Sequence, residues 1–395
     1  MKILHIAPFF TGGVGIVAKN LTYALSRLGN DVVIASPANP PEEIRENIST
    51  FYKLRELVLK DPLYAPMFAL INKNIVEKII RDVKPDIILT HGPLTLLASL
   101  IKTKIPWFSV VHGTYFNELK YMWQHPIRGI EKLKYWLSIG TTYHEDMEIY
   151  RYVTKKRNIY LVAVSKRTRQ ELIDAGVNPQ RVFSVLNGVD KNIFKPMDKD
   201  KNLSILEKKY GVEVDNERLL LHVNPGAIKG THILIKSIAI LKKILKDRVM
   251  LLVVGNIGPS TYRSYIERLV KEMKLEDTVK FIGRVPHEEL PYFYNIAELT
   301  IVPSYSEGAP LVIPESLACG TPVVATEVGG NSEYLRLALP KPDKYLVEIK
   351  EYDFSKTLAK KIGMALSYRA IPNIESIPSW FDIAKIYLKL FREKS

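Results

Sequence analysis

The chain has 395 residues, 47% hydrophobic and 25% charged, with a formal net charge of +14. This length provides for two full cores, and no apolar run approaches the ~18–20 residues of a spanning helix. The single cysteine, Cys319, excludes an internal disulfide framework and a cysteine-built metal site; within Leu317-Ala318-Cys319-Gly320 it reads as a packing residue.

In chain order, residues 2–8 read as a first strand. They lack the charged start and cleavage site of a signal peptide, so a cytoplasmic protein is expected. Residues 16–28 have helical spacing and Gly29 ends them, 32–35 are apolar again, and strands are expected at 86–90, 107–111 and 160–164. Continuous apolar strands between helices specify an open parallel sheet covered on both faces. Around 191–216 the pattern breaks into the polar run Lys195-Pro196-Met197-Asp198-Lys199-Asp200-Lys201-Asn202, read as a solvated linker. Alternation restarts with strands at 219–223, 250–254, 278–282, 299–302 and 323–325 and helices at 231–245 and 262–273. The expected fold class is α/β, with two Rossmann-like doubly wound domains at 1–195 and 196–378. A last helix at 379–393 carries Trp380, Ile383, Ile386, Tyr387 and Leu390 at helical spacing.

Ligands of such sheets lie beyond the carboxyl ends of the strands, and four motifs fall there. Thr11-Gly12-Gly13-Val14-Gly15 opens the first helix, where backbone N–H groups can approach a phosphate. The string from Gly13 also fits a dinucleotide fingerprint, but the second strand runs into Ser36-Pro37-Ala38-Asn39 with no carboxylate for a ribose, which argues against a nicotinamide cofactor. His112, in Val111-His112-Gly113-Thr114, is either a satisfied buried histidine or a donor to a sugar hydroxyl or a developing charge. In Asn224-Pro225-Gly226-Ala227-Ile228-Lys229-Gly230, Lys229 is a surface residue or a point charge for a diphosphate. The fourth motif carries Glu307 and Glu315: one in the loop before a helix, one about a turn inside. That separation suits two hydroxyl-bearing parts of one extended ligand, with free N–H groups at Leu311 and Val312 between them. Two carboxylates alone would read as a helix cap and a solvated helix residue.

With these residues the chain resembles family 4 of the retaining glycosyltransferases, which have the GT-B fold of two domains facing across a cleft. The resemblance runs through Gly12-Gly13-Val14, Val164-Ser165, Asn187-Gly188-Val189-Asp190, Lys229-Gly230, Phe281-Ile282-Gly283-Arg284-Val285-Pro286, Pro303-Ser304, Glu307 to Glu315, Ala318 to Ala325, and Val328-Gly329-Gly330. It implies a nucleoside-diphosphate sugar as donor and no metal or other cofactor. Glu307 and Gly308 would contact the donor sugar, with His112 beside its anomeric carbon. Glu315 would bind the ribose, and Lys229, Gly12, Gly13, Leu311 and Val312 the diphosphate. Arg284 and Val285 would line the base. The last helix would cross back onto the first domain.

The main departure is Asn224, where the family usually has Arg; a lost cationic donor there is worth about 2.7–4 kcal/mol at a leaving phosphate. Gly308-Ala309-Pro310 also replaces the common Gly-Phe-Gly, and Pro310 suits a helix start. The expected reaction is retaining transfer of a hexose-type sugar to a hydroxyl of a glycan or lipid-linked acceptor. The competing readings are a catalytically weak protein that binds nucleotide sugar and a sugar-nucleotide isomerase. The basic and aromatic stretch 117–157 (Tyr121, Trp123, Trp136, Tyr143 and Tyr150 among Lys120, Arg128, Lys132, Lys134, Arg151, Lys155, Lys156 and Arg157) is either a packed helix pair with a solvated basic face or a peripheral contact with the inner face of a membrane. No recognition module accompanies the charge, so no nucleic-acid partner is expected.

Overall fold

Seven parallel strands form the first sheet: β1 (Lys2–Ile6), β2 (Asp31–Ser36), β3 (Thr50–Lys53), β4 (Ile87–His91), β5 (Trp107–Val111), β6 (Ile159–Ala163) and β7 (Val182–Ser184). Their order is β3-β2-β1-β4-β5-β6-β7. A second parallel sheet contains β8 (Arg218–Val223), β9 (Val249–Val254), β10 (Val279–Gly283), β11 (Leu299–Val302), β12 (Val323–Thr326) and β13 (Leu346–Val347), ordered β10-β9-β8-β11-β12-β13. This computed structural model describes all residues except 58–63, 123–125, 127–128, 157, 216, 246–247, 350–352 and 395.

β4, β5 and β6 are buried at every position, as their largely apolar sequences require when helices cover both faces. Each order reverses beside the strand that opens its sheet: β1 lies between β2 and β4, and β8 between β9 and β11. At such a switch point the chain leaves the two central strands toward helices on opposite faces, and ligands bind beyond the strand ends. The short edge strands β3, β7 and β13 have no unbroken apolar run long enough to stand out in the sequence.

The chain divides into two compact units. The first comprises Met1–Leu119, Leu133–Gly188 and Pro378–Ser395, the second Lys120–Lys132 and Val189–Ile377. The division falls at Gly188/Val189 rather than at 195/196. The short piece Lys120–Lys132 groups with the second unit, where the Tyr121 ring lies 5.9 Å from that of Tyr305. The expected solvated linker contains a helix, Lys199–Tyr210. Asp198 caps it by accepting from the Lys201 N–H at 2.9 Å, and Gly211 ends it in the left-handed region. The Asp-Lys-Asp string is thus a helix start.

The last helix, Trp380–Lys394, belongs to the first unit. It buries Trp380, Ile383, Ala384, Tyr387, Leu388 and Phe391, whereas Ile386, expected on the apolar stripe, is exposed. Phe391 is fully buried with its ring 4.7 Å from that of Phe108 on β5, and Phe381 meets Tyr23 of the helix Gly12–Arg27 edge-on. A Cβ on Gly188 would press on the backbone of Ser379 and Trp380, so Gly188 fixes where this helix begins. Phe391→Ala is expected to cost about 3–5 kcal/mol in urea unfolding; a loss under about 1 kcal/mol would show that the helix does not anchor the unit.

Candidate functional site

In the second unit the loops after β8 and β11 meet at the switch point. The β8 loop is held by His222, a buried β8 residue whose Nδ1 donates to the Ile301 carbonyl at 3.0 Å. Its Nε2, 2.9 Å from the Thr231 hydroxyl, is then the acceptor of the neutral ring. Thr231 Oγ1 also accepts from the Gly226 N–H at 2.8 Å. Gly230 begins the helix Thr231–Ile244 at φ 69°, and a Cβ there would overlap the Pro303 carbonyl oxygen. Only glycine satisfies both conditions. The Tyr305 N–H donates to the Ile228 carbonyl at 2.8 Å, joining the two loops directly.

This joint brings Lys229 to Glu307. The Lys229 ammonium donates to Glu307 Oε1 at 2.7 Å, and the Ser304 hydroxyl donates to the same oxygen at 2.7 Å. The Glu307 side chain is only 8% exposed, and these donors offset the cost of removing its charge from water. Behind it, Gly329 has φ 51°, and a Cβ would overlap the carbonyl oxygens of Glu307 and Gly308; the Gly330 N–H donates to the Gly308 carbonyl at 2.6 Å. The loop after β12 thus supports the Glu307 loop from below.

Glu315 belongs to a separate network. It lies in the first turn of the helix Val312–Ala318, capped at Leu311, and is buried. His287 Nε2 donates to its Oε1 at 2.7 Å and the Tyr294 hydroxyl to its Oε2 at 2.9 Å. Burial, with the carboxylate beside it, pushes the Tyr294 hydroxyl well above its ordinary range, so it remains a donor. An ionised carboxylate has about four lone-pair sites, so a fixed Glu315 retains capacity for further hydroxyl donors. Neither His287 nor Tyr294 stood out in the sequence, because each acts only through Glu315.

Asn224 follows β8 with a left-handed backbone, φ 58°, and its N–H donates to the Val254 carbonyl at 2.8 Å. Asparagine tolerates this conformation better than most residues. Its side chain is exposed. Arg284 and Val285 follow β10 at the sheet edge, Arg284 exposed and Val285 partly buried.

In the first unit, Gly12 and Gly13 are the first residues of the helix Gly12–Arg27, so the expected glycine loop is itself the first helical turn. A Cβ on Gly13 would meet nothing within 4 Å, which leaves its backbone open to approach. His112 follows β5, and its Nε2 lies 2.8 Å from Nδ1 of His91, the last residue of β4. His91 Nε2 lies 2.7 Å from Nε2 of His5 on β1. Burial lowers His5 to about 3 and His112 to about 4, and lowers His91 well below the ordinary range with the neighbouring rings adding to the effect. His222 is likewise lowered to about 4, chiefly by burial. His91 was missed, although it stands at a strand end followed by Gly92, the signal that singled out His112.

Part of the basic and aromatic stretch is structural. Tyr150 is buried, Tyr143 packs against the core, and Lys156 Nζ donates to the Ala98 and Ser99 carbonyls at 3.0 and 2.8 Å. On the helix Gly129–Val153, however, Leu133, Trp136 and Leu137 are 53%, 45% and 53% exposed. Trp123, Arg128 and Arg157 lie outside the described residues. Among the described residues no helix is long and apolar enough to cross a membrane.

The four lowered histidines make stability depend on pH. An unfolded chain takes up these protons near pH 6.5, whereas the folded chain keeps the rings neutral to about pH 4 or below. The unfolded state therefore binds more protons in that window, and stability falls as pH falls through 6.5. Each ring contributes a slope of up to about 1.4 kcal/mol per pH unit. The urea midpoint is expected to be flat above pH 7 and to decline between pH 6.5 and 4.5; a flat midpoint across that window would contradict the assignment.

Two family models match, Glycosyltransferase Family 4 over residues 11–192 and Glycosyl transferases group 1 over 206–369. A D-inositol 3-phosphate glycosyltransferase of Thermobifida fusca is 35% identical over 160 residues, 39% of this chain, and the match spans only 36% of that protein. An uncharacterized glycosyltransferase of Methanocaldococcus jannaschii is 27% identical over 351 residues, covering 85% of this chain and 83% of that one. Among solved structures, sucrose-phosphate synthase from Thermosynechococcus elongatus superposes with a TM-score of 0.77 at 19% identity, covering 100% of this chain and 99% of that one. Anabaena HepE in complex with UDP-glucose gives 0.69 at 18%, covering 100% of both. With two parallel sheets of the GT-B type and a family match in each half, the chain belongs to the family 4 glycosyltransferases.

Proposed function

We propose that the protein is a retaining glycosyltransferase that moves a hexose-type sugar from a nucleoside-diphosphate sugar to a hydroxyl of a glycan or lipid-linked acceptor. The observation that carries this reading is the Lys229–Glu307 pair at the second switch point, with Glu315 fixed separately in the helix that follows. Lys229 supplies a point charge for a diphosphate, assisted by Gly12, Gly13 and the first-turn N–H groups at Leu311 and Val312. Glu307 with Gly308 takes the sugar, Glu315 the ribose, and Arg284 and Val285 the base. The anomeric C–O bond to the diphosphate breaks through an oxocarbenium-like transition state as the acceptor oxygen bonds to carbon on the same face. The departing phosphate oxygen takes the acceptor proton. Glu307 and His112 position the sugar and stabilise developing charge, and the scheme calls for no metal.

Asn224 keeps a second reading open, a protein that binds nucleotide sugar with little turnover, because its exposed side chain supplies no cation where the family usually has one. A panel of UDP-glucose, UDP-galactose, UDP-N-acetylglucosamine, GDP-mannose and ADP-glucose separates the readings by thermal stabilisation and donor hydrolysis. Stabilisation without turnover favours the binder, and sugar interconversion without transfer favours an isomerase. For a transferase, Glu307→Gln is expected to lower turnover on the order of a hundredfold while nucleotide stabilisation persists. Near-wild-type turnover would remove Glu307 from the scheme.

A cytoplasmic protein peripheral to a membrane is proposed on the Leu133, Trp136 and Leu137 stripe, which has helical spacing and Lys134 beside it. Sedimentation with anionic phosphatidylglycerol vesicles at low salt is expected to fall severalfold in the Trp136→Ser/Leu137→Ser double variant. Equal sedimentation of both proteins would reject the membrane contact.

A further inference from the structure

Three histidines and a threonine form one continuous line through the first unit. Thr22 Oγ1 lies 2.7 Å from His5 Nδ1, His5 Nε2 lies 2.7 Å from His91 Nε2, and His91 Nδ1 lies 2.8 Å from His112 Nε2. Ring centroids are 4.9 and 5.1 Å apart at interplanar angles of 28° and 17°. Each centroid separation exceeds its N···N distance by about two ring radii, so the rings meet edge to edge in nearly one plane, as directed N–H···N bonds require. The nitrogens face one another in pairs and share no common centre where an ion could sit. Thr22, His5 and His91 are fully buried, and only His112 retains exposure.

We propose that His91, its polarity set by Thr22 through His5, is a positioning residue that locks His112 as its Nδ1–H tautomer, giving the donor sugar a fixed neutral hydrogen-bond donor. The inference rests on the role proposed above for His112. A neutral imidazole has one donor and one acceptor nitrogen, so one bond in the line fixes all the others. Only two arrangements exist. If Thr22 donates to His5 Nδ1, the protons lie on His5 Nε2, His91 Nδ1 and His112 Nδ1. If the line runs the other way, Thr22 accepts from His5 and its own proton must find another acceptor. Among the described residues Thr22 makes no bond to the carbonyl four residues back and has no partner but His5. An orphaned buried donor is costlier than an unfilled lone pair, so the first arrangement is selected. The depressed proton affinity of all three rings keeps the line neutral, which a single direction requires.

Long-range 1H–15N correlation spectra of the full-length protein test this without any substrate. The expected pattern is His5 Nε2–H, His91 Nδ1–H and His112 Nδ1–H; Nε2–H on His112 would overturn the proposal. His91→Phe removes the donor and is expected to release His112 to a mixture of tautomers. Donor hydrolysis should then fall on the order of tenfold to a hundredfold, measured with whichever sugar nucleotide of the panel turns over fastest, while UDP stabilisation is unchanged. His91→Gln, whose amide can accept from His5 and donate to His112, should restore both readouts to within a few-fold. Equal loss in Phe and Gln variants with the His112 tautomer intact would mark His91 as a packing residue and overturn the proposal. Absent turnover in the wild type with the expected tautomers would instead reject the transferase reading and leave the positioning role standing.

Discussion

The reversal of strand order beside β1 and beside β8 is the constraint on which both candidate sites depend. In the second unit it places the loop after β8 against the loop after β11, although they are far apart in the chain. The buried His222, the Tyr305–Ile228 backbone bond and the close fit of Gly230 against Pro303 make that contact rigid. Lys229 and Glu307 then meet as a consequence of topology. In the first unit, the neighbours β1 and β4 each contain one histidine and a third directly follows β5, so the spacing of adjacent strands sets the spacing of the rings.

Each site holds its polar groups by the same rule, that a buried polar group requires a partner. Glu307 is held by a cation and a hydroxyl, Glu315 by an imidazole and a phenol, and the histidines by one another. These supports keep charge and donor direction fixed before a ligand arrives, and such preorganisation gives electrostatic stabilisation its value in catalysis. The glycines at 230 and 329 serve the same end through the backbone, since a side chain at either position would displace the loop carrying Glu307 or the strand end before it.

The parallel sheets were legible because their central strands are mostly apolar runs between helix-like segments; β5 coincides with the expected strand at residues 107–111. The edge strand β10 was legible too, but β3, β7 and β13 were not, because two to four residues leave no pattern. Asp198 looked like linker because a capping residue and a solvated acid have the same local sequence. Ile386 was placed on the wrong side of its helix because helical spacing alone does not fix which part of a wide apolar stripe faces inward. At the site, Lys229 and Glu307 in loops after strands stood out, as did Glu315 in the first turn of the helix that follows. His287 and Tyr294, the partners of Glu315, and His5, in line with His91 and His112, did not, because the contacts that define them join distant parts of the chain.

In the proposed function Lys229, Glu307 and Glu315 form one nucleotide-sugar site. Titration calorimetry of the full chain with UDP, GDP and ADP, beside Lys229→Ala and Glu315→Ala, tests it most directly. One-to-one binding of one of these nucleotides is expected, weakened at least tenfold by either substitution. Binding unaffected by both substitutions, or no binding of any nucleoside diphosphate, would contradict it.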